Sequence, residues 1–266
     1  MGDLAGFGRA GDVGSLAHYA NPAYYWRCYA RRKADVSYYR TLAVRAQRVL
    51  EYGIGNGRIA LPLARAGVEV TGLDLSRPML ADLAARLARE PKRVRQRVKA
   101  RPGDMRSARL GQRFPLVIAP FNAVLHLYTT RDMERFLARV REHLLPGGEF
   151  VFDVLVPSPD DLSRDPSESY RAPSLREPGT GRRLLYRERF EYDPARQLLL
   201  VWSEFQAAGQ PDAWRVPLTQ RQYFPCELEA LLHYNGFRNL ERVPDFGVTE
   251  AHGVDSLVYH CRVEAR

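Results

Sequence analysis

Lysine is almost missing from this chain. Of its 40 basic residues only Lys33, Lys92 and Lys99 are lysines, so arginine carries the formal net charge of +9. The skew reflects compositional bias as much as a designed basic surface. A positive field attracts acidic ligands or nucleic acid, but no RNA-binding motif accompanies it, and a nucleic-acid partner is not expected. Cysteine is scarce as well. Cys28, Cys226 and Cys261 make no C-x-x-C pair and no zinc spacing, which excludes a disulfide scaffold and a zinc finger. They are expected to be reduced, partly buried thiols, and no metal is expected. No apolar run reaches the roughly 18 residues of a membrane-spanning helix. The first residues, 1–14, are small and Gly-rich, broken by Asp3, Arg9 and Asp12, without the apolar centre of a secretion signal. A frayed start on a cytoplasmic protein is the expectation. No Ser/His/Asp or Cys/His constellation stands out.

What is present is concentrated between Val49 and Met79. An apolar run, Arg48-Val49-Leu50, ends at Glu51. A turn with Gly53, Gly55 and Gly57 follows, then a helical pattern of Ile59, Leu61, Leu63 and Ala64 stopped by Gly67. A second apolar run, 68–73, ends at Asp74. Strand, glycine turn, helix, strand and acid form a βαβ unit with nucleotide-binding chemistry. Glycine lets the backbone approach a ligand, the helix opens with free N–H groups, and an acid at the end of the next strand accepts hydrogen bonds from ribose hydroxyls.

The spacing is Glu51-x-Gly53-x-Gly55-x-Gly57 rather than the G-x-G-x-x-G of dinucleotide oxidoreductases. It resembles the first motif, E/D-x-G-x-G-x-G, of the class I S-adenosylmethionine (SAM) dependent methyltransferases. Asp74 matches that family's ribose-binding acid. Gly103-Asp104-Met105 matches its next motif, and Leu144-Leu145-Pro146-Gly147-Gly148 matches its L-x-P-G-G turn before the fifth strand. The likeness covers 19–152 well and the remainder loosely. The usual cysteine and threonine of the glycine loop are Ile54 and Asn56 here.

The resemblance implies an α/β fold: a Rossmann-like, seven-stranded, mostly parallel sheet with helices on both faces. It implies SAM as cofactor, held by Tyr25, Glu51, Gly53, Gly55, Asp74, Leu75, Met79, Asp104, Met105 and Pro120. It further implies an N-terminal lid, whose tyrosines touch the methionine moiety, and a flap over the acceptor pocket. The activity implied is methyl transfer to N or O of a small metabolite by a monomer or homodimer. An RNA methyltransferase, or a module that kept the fold without catalysis, are the competing readings.

Along the chain, Asn21-Pro22 offers a helix start in an aromatic stretch, with a helix running through Tyr25 and Tyr29 to Arg32. A helix is expected over 35–46, one capped by Ser76 over 76–90, and a solvated connector over 92–101 leading into the third strand. The fourth strand is 114–120. Asn122 and His126, spaced i and i+4, are expected on one helical face, with Tyr24, Asn122, His126 and Asp153 as candidate substrate contacts and His126 as candidate proton acceptor. A helix over 132–145 and a fifth strand over 149–156 follow. Residues 157–178, rich in Pro, Ser, Asp and Arg, read as a long loop or short insertion. From Arg182 the residues alternate, predicting an antiparallel flap of three strands, 183–192, 197–205 and 214–223. A helix over 225–235 and a strand pair, 237–243 and 257–263, close the chain. The expected division is a flexible 1–18, a SAM-binding core with lid over 19–156, a loop and flap over 157–224, and core-completing elements over 225–266.

Overall fold

A computed structural model describes residues 16–210, 212–248 and 253–263. The expectation for the first residues lies largely outside them. The described residues form two compact units, 16–31 with 157–222 and 32–156 with 223–263.

The second unit is built on a seven-stranded sheet. Along the chain it has α2 (Ala34–Ala46), β1 (Arg48–Tyr52), α3 (Ala60–Arg65), β2 (Glu69–Asp74), α4 (Arg77–Ala88), the single turn α5 (Lys92–Arg95), β3 (Val98–Pro102), β4 (Phe114–Ala119), α6 (Thr130–His143), β5 (Leu144–Leu155), α8 (Pro225–Tyr234), β10 (Phe237–Pro244) and β11 (Ser256–Val263). The strand order is β10-β11-β5-β4-β1-β2-β3. All neighbours pair in parallel except around β11, which runs antiparallel to both β5 and β10. The chain steps from β1 outward to β3, then returns to place β4 on the other side of β1. That reversal leaves a crevice beyond the carboxyl ends of β1 and β4, the ligand position of open α/β sheets.

Both faces of the sheet are covered, as strands buried on two sides require. On one face α6 and α8 bury Phe136, Leu137, Val140, Leu228 and Leu232 against Phe150, Phe152 and Tyr259. On the other, α2, α3 and α4 bury Tyr39, Ala43, Leu63 and Leu83 against Val49, Val70 and Ile118. The segment expected as a turn before the fifth strand is a bulge inside β5: Phe114 pairs with Leu144 and Leu116 with Glu149, so the chain inserts extra residues between them. Gly148 is required there, because a Cβ would stand 2.9 Å from the Leu145 carbonyl oxygen.

The first unit contains α1 (Pro22–Tyr29), the short α7 (Pro159–Leu162) and a four-stranded antiparallel sheet in the order β6 (Tyr170–Arg176), β7 (Arg183–Asp193), β8 (Leu198–Ala207), β9 (Ala213–Arg221). Two corrections arise here. The stretch 157–178 is not a loop without structure, since it holds α7 and a strand, and the sheet has four strands rather than three. Alternation was hidden in β6 because Pro173 sits at a bulge between Ala172 and Leu175 on an edge strand, where proline is tolerated. One face of this sheet is apolar, with Leu184, Phe205 and Ala207 in one cluster and Phe190, Leu199 and Val201 in another. The helix α1 starts as its sequence suggests: Asn21 Oδ1 accepts from the Ala23 and Tyr24 N–H groups, with Pro22 in the first turn. By contacts α1 groups with this sheet, whereas the sequence division counted it with 19–156.

Candidate cofactor crevice

Glu51 and Asp74 lie at or next to the ends of adjacent strands, and the glycine turn runs between them. Gly53, Gly55 and Gly57 all have positive φ (71°, 53° and 79°). The Gly53 and Ile54 N–H groups both donate to the Leu73 carbonyl, at 2.8 and 3.0 Å, which folds the turn back onto β2. The Gly55 N–H then donates to Asp74 Oδ2 at 2.7 Å, and the Ser76 N–H donates to Oδ1 at 2.7 Å. Gly55 cannot be replaced without strain, because its φ is left-handed and a Cβ would stand 3.2 Å from the Met79 methyl group. Burial raises the Asp74 carboxyl, and the backbone N–H groups of Ser76, Gly55 and Leu75 pull it back down. A carboxylate has about four lone-pair sites, and Asp74 keeps a partly exposed side chain with capacity beyond these donors.

Glu51 is buried, and its Oε2 has no hydrogen-bond partner among the described residues. Burial pushes its carboxyl well above the usual range, Arg58 opposes that and Asp74 adds to it. An orphaned buried carboxylate oxygen beside a glycine turn costs stability and fits a ligand that donates hydrogen bonds. Met79 is 2 % exposed and Leu75 is 55 % exposed, so Leu75 offers an open apolar surface next to Asp74. Asp104 is tied to Arg106, which reaches both carboxylate oxygens at 2.8–3.0 Å and also Asp132 at 3.2 Å. Burial raises the Asp104 carboxyl, but the Arg106 side chain and N–H outweigh it and the net direction is down. Met105 packs, partly buried, against the core. Arg106 was not singled out from the sequence; its two-residue offset from an acid was the available signal.

The carboxyl end of β4 differs from expectation. Asn122 and His126 do not share a helical face. Phe121 and Asn122 both take left-handed φ, 58° and 62°, and the helix that follows is one 3-10 turn, Ala123–His126. Such backbone is held only where its surroundings over-determine it, and here Asp153 of β5 does so. Its Oδ1 accepts from the Phe121 N–H at 2.8 Å and from the Tyr39 hydroxyl at 2.6 Å, and its Oδ2 accepts from the Asn122 N–H at 3.3 Å. Asn122 Oδ1 accepts from the Leu155 N–H at 2.7 Å. Asp153 and Asn122, read from sequence as substrate contacts, are therefore committed to holding the turn after buried Pro120. His126 is half-buried between buried Leu125 and Leu127.

A second device was invisible in the sequence. Arg58 directly follows the glycine turn and lies in a buried, two-pronged pair with Asp35 of α2, at 3.0 and 2.5 Å. Its guanidinium also covers the Phe121 ring at 4.5 Å, with that of Arg32 at 5.2 Å. Arg58 thus links the glycine loop to α2 through the ion pair and to the strained turn after β4 through the Phe121 ring.

Asp153 gives a pH signature. Burial pushes its carboxyl from 3.8 up to about 6, against the hydrogen bonds from Tyr39 and Phe121 that lower it. A carboxyl raised in the folded state binds protons more tightly there than when unfolded. Its stabilising contribution is therefore full below about 3.8 and lost as pH rises through about 6. Chemical denaturation of wild type and Asp153→Asn at pH 4 and pH 7 is expected to show wild type losing roughly 2 kcal/mol relative to the variant across that window. An offset that does not change with pH would contradict it.

Of the residues expected near the cofactor on α1, Tyr25 is buried with its ring 4.9 Å from Tyr29 and 5.6 Å from Tyr19. Tyr24 packs on Phe205 and Trp214 at 5.8 and 5.7 Å. Both are accounted for by packing inside their own unit.

Comparison with known proteins agrees with this geometry. Residues 49–148 match the family described as Methyltransferase domain. The chain is 30% identical over 126 residues to the dTDP-3-amino-3,4,6-trideoxy-alpha-D-glucopyranose N,N-dimethyltransferase of Streptomyces venezuelae, covering 47% of this chain and 50% of the relative. The chain thus spans about half the length of that relative in the matched region. Among solved structures it is similar to the CcbJ methyltransferase from Streptomyces caelestis (TM-score 0.72, 28% identity, 88% of this chain and 90% of the other). It is also similar to the glycopeptide N-methyltransferase MtfA complexed with SAM (TM-score 0.63, 25% identity, 89% and 90%). The strand order, the glycine turn with its acid and the family match together define a class I methyltransferase fold. The match to a methyltransferase domain spans 49–148, the part of the chain that holds the glycine turn, Asp74 and Asp104. No helix among the described residues is long and apolar enough to cross a membrane.

Proposed function

We propose that this protein is a SAM-dependent methyltransferase whose acceptor is an amine nitrogen of a small metabolite, working as a monomer or homodimer in the cytoplasm. The observation that carries the reading is the crevice beyond the carboxyl ends of β1 and β2, where Asp74 faces the glycine turn and Glu51 keeps an unsatisfied buried oxygen. The amine acceptor is supported by what the relatives' names say of those proteins, an amino-sugar N,N-dimethyltransferase and a glycopeptide N-methyltransferase.

When bound, SAM supplies an electrophilic methyl group on a sulfonium. The chain's part is placement. Asp74 would hold the ribose hydroxyls, the Gly53–Gly55 backbone would lie against the ligand, and Leu75 and Met79 would cover the adenine. Asp104, charged and fixed by Arg106, and Met105 would border it. Glu51 would accept from an amino group. The acceptor nitrogen must present a lone pair, so an ammonium has to lose a proton first, and His126 is proposed to take it. Holding two reactants in line supplies about 7–11 kcal/mol of barrier lowering, so no strong protein nucleophile is required.

The test is incubation with methyl-labelled SAM and a panel of small amines, amino sugars among them, read by mass spectrometry. Products heavier by one or two methyl groups on nitrogen, with demethylated cofactor released in proportion, are expected. Label appearing only on hydroxyl acceptors would overturn the nitrogen assignment. Protein that neither binds nor consumes SAM would overturn the enzyme reading.

A further inference from the structure

The first unit carries a cleft that none of this uses. Two adjoining cavities, of about 630 and 560 Å³, share Pro173, Ser174 and Arg183 in their walls. Between them they are lined by six arginines: Arg27 and Arg31 from α1 and the segment after it, Arg171 and Arg176 from β6, and Arg183 and Arg187 from β7. No carboxylate lines either cavity.

The spacing of these arginines is unfavourable for folding alone. Arg171 pairs directly with Arg187 across the β6–β7 ladder, and Arg176 pairs directly with Arg183. Like charges opposite one another in a ladder destabilise it. Arg27 in the last turn of α1 and Arg31, two residues beyond its end, reach the wall of the same cavity. Position near the last turn of α1 explains one of these two through the helix dipole, not six converging on one cleft. Carboxylates that would offset the charge are committed elsewhere: Glu177 to Arg182 and Thr180, and Glu204 to Arg215 and Ser169. All six arginines are exposed, so a ligand reaches them without opening a core.

We propose that this cleft is a binding site for a small di- or polyphosphate anion, either free or as the phosphate portion of a larger small molecule. Guanidinium forks match phosphate oxygens with paired hydrogen bonds. Two cavities joined at Arg183 suit an anion with at least two charged groups better than a single phosphate. The same charges would attract RNA, and Trp26 and Tyr186 also line the walls, but cavities of about 630 and 560 Å³ suit a small anion better than the extended groove that tracks a nucleic-acid backbone.

The test uses the full chain without SAM, so its outcome is independent of the enzyme reading. Thermal unfolding is followed with inorganic pyrophosphate, with a nucleoside diphosphate, with a single-stranded RNA oligomer, and with sodium chloride at matched ionic strength. Pyrophosphate or the nucleoside diphosphate is expected to raise the midpoint at concentrations where chloride does not, the nucleoside diphosphate binding more tightly if the phosphate arrives on a larger molecule. The double variant Arg176→Gln/Arg183→Gln is expected to lose at least tenfold in pyrophosphate affinity. It is also expected to unfold at the same or a higher temperature than wild type without ligand, because a like-charge pair is gone. Arg89→Gln, at the end of α4 in the other unit, serves as the charge control and should bind as wild type does. Equal pyrophosphate shifts in wild type and double variant overturn the proposal, and so does steeply salt-dependent RNA binding without any pyrophosphate shift.

Discussion

Asp74→Ala is expected to weaken SAM binding by a hundredfold or more. A hydrogen bond to a charged acceptor contributes about 1.5–3 kcal/mol, and a carboxylate gripping two ribose hydroxyls forms two of them. A loss of roughly 3–6 kcal/mol corresponds to at least two decades in affinity. The variant does a second thing, since Asp74 also fixes the Gly55 and Ser76 N–H groups. Asp74→Asn separates the two effects. An amide oxygen still accepts from one backbone N–H, but the charge is gone. Calorimetry should rank wild type above Asn above Ala for SAM, while thermal midpoints of wild type and Asn stay close. Affinity that survives in the Ala variant would place the adenosyl ligand elsewhere.

The second large effect concerns stability. Asp35→Ala leaves the Arg58 guanidinium buried, next to an aromatic ring but without its carboxylate. Removing one partner of a buried pair costs about 3–5 kcal/mol, whereas replacing both by apolar groups of similar volume is often neutral. Asp35→Ala and Arg58→Ala are therefore each expected to lower the denaturation midpoint strongly, and Asp35→Leu/Arg58→Met to recover most of the loss. The double variant should still bind SAM less well than wild type, because Arg58 directly follows the glycine turn. A double variant as unstable as the singles would show that geometry, not charge compensation, holds this corner.

These two sites illustrate what one chain discloses. Glu51, the glycines and Asp74 are close in sequence, and their spacing follows from the length of a turn and a strand. The fold could be read because every link of that βαβ unit is local. The pairing of Asp35 with Arg58 spans 23 residues, and that of Tyr39 with Asp153 spans 114; no local pattern marks either. The regular spacing of Asn122 and His126 misled for a physical reason. An i, i+4 pair shares a face only inside a helix, and two left-handed residues after β4 keep Asn122 outside one. The short helix α7 did carry a signal, since Ser158 caps it and Pro159 sits in its first turn. The β6 strand carried almost none, because a proline and a bulge interrupt its alternation.

The most direct test of the crevice is a crystal structure of the protein grown with the demethylated cofactor. The account predicts its ribose hydroxyls within hydrogen-bond distance of Asp74 and its amino group reaching Glu51, over the turn from Gly53 to Gly57. Density for the ligand away from β1 and β2, or a crevice closed by the protein's own side chains at saturating ligand, would contradict it.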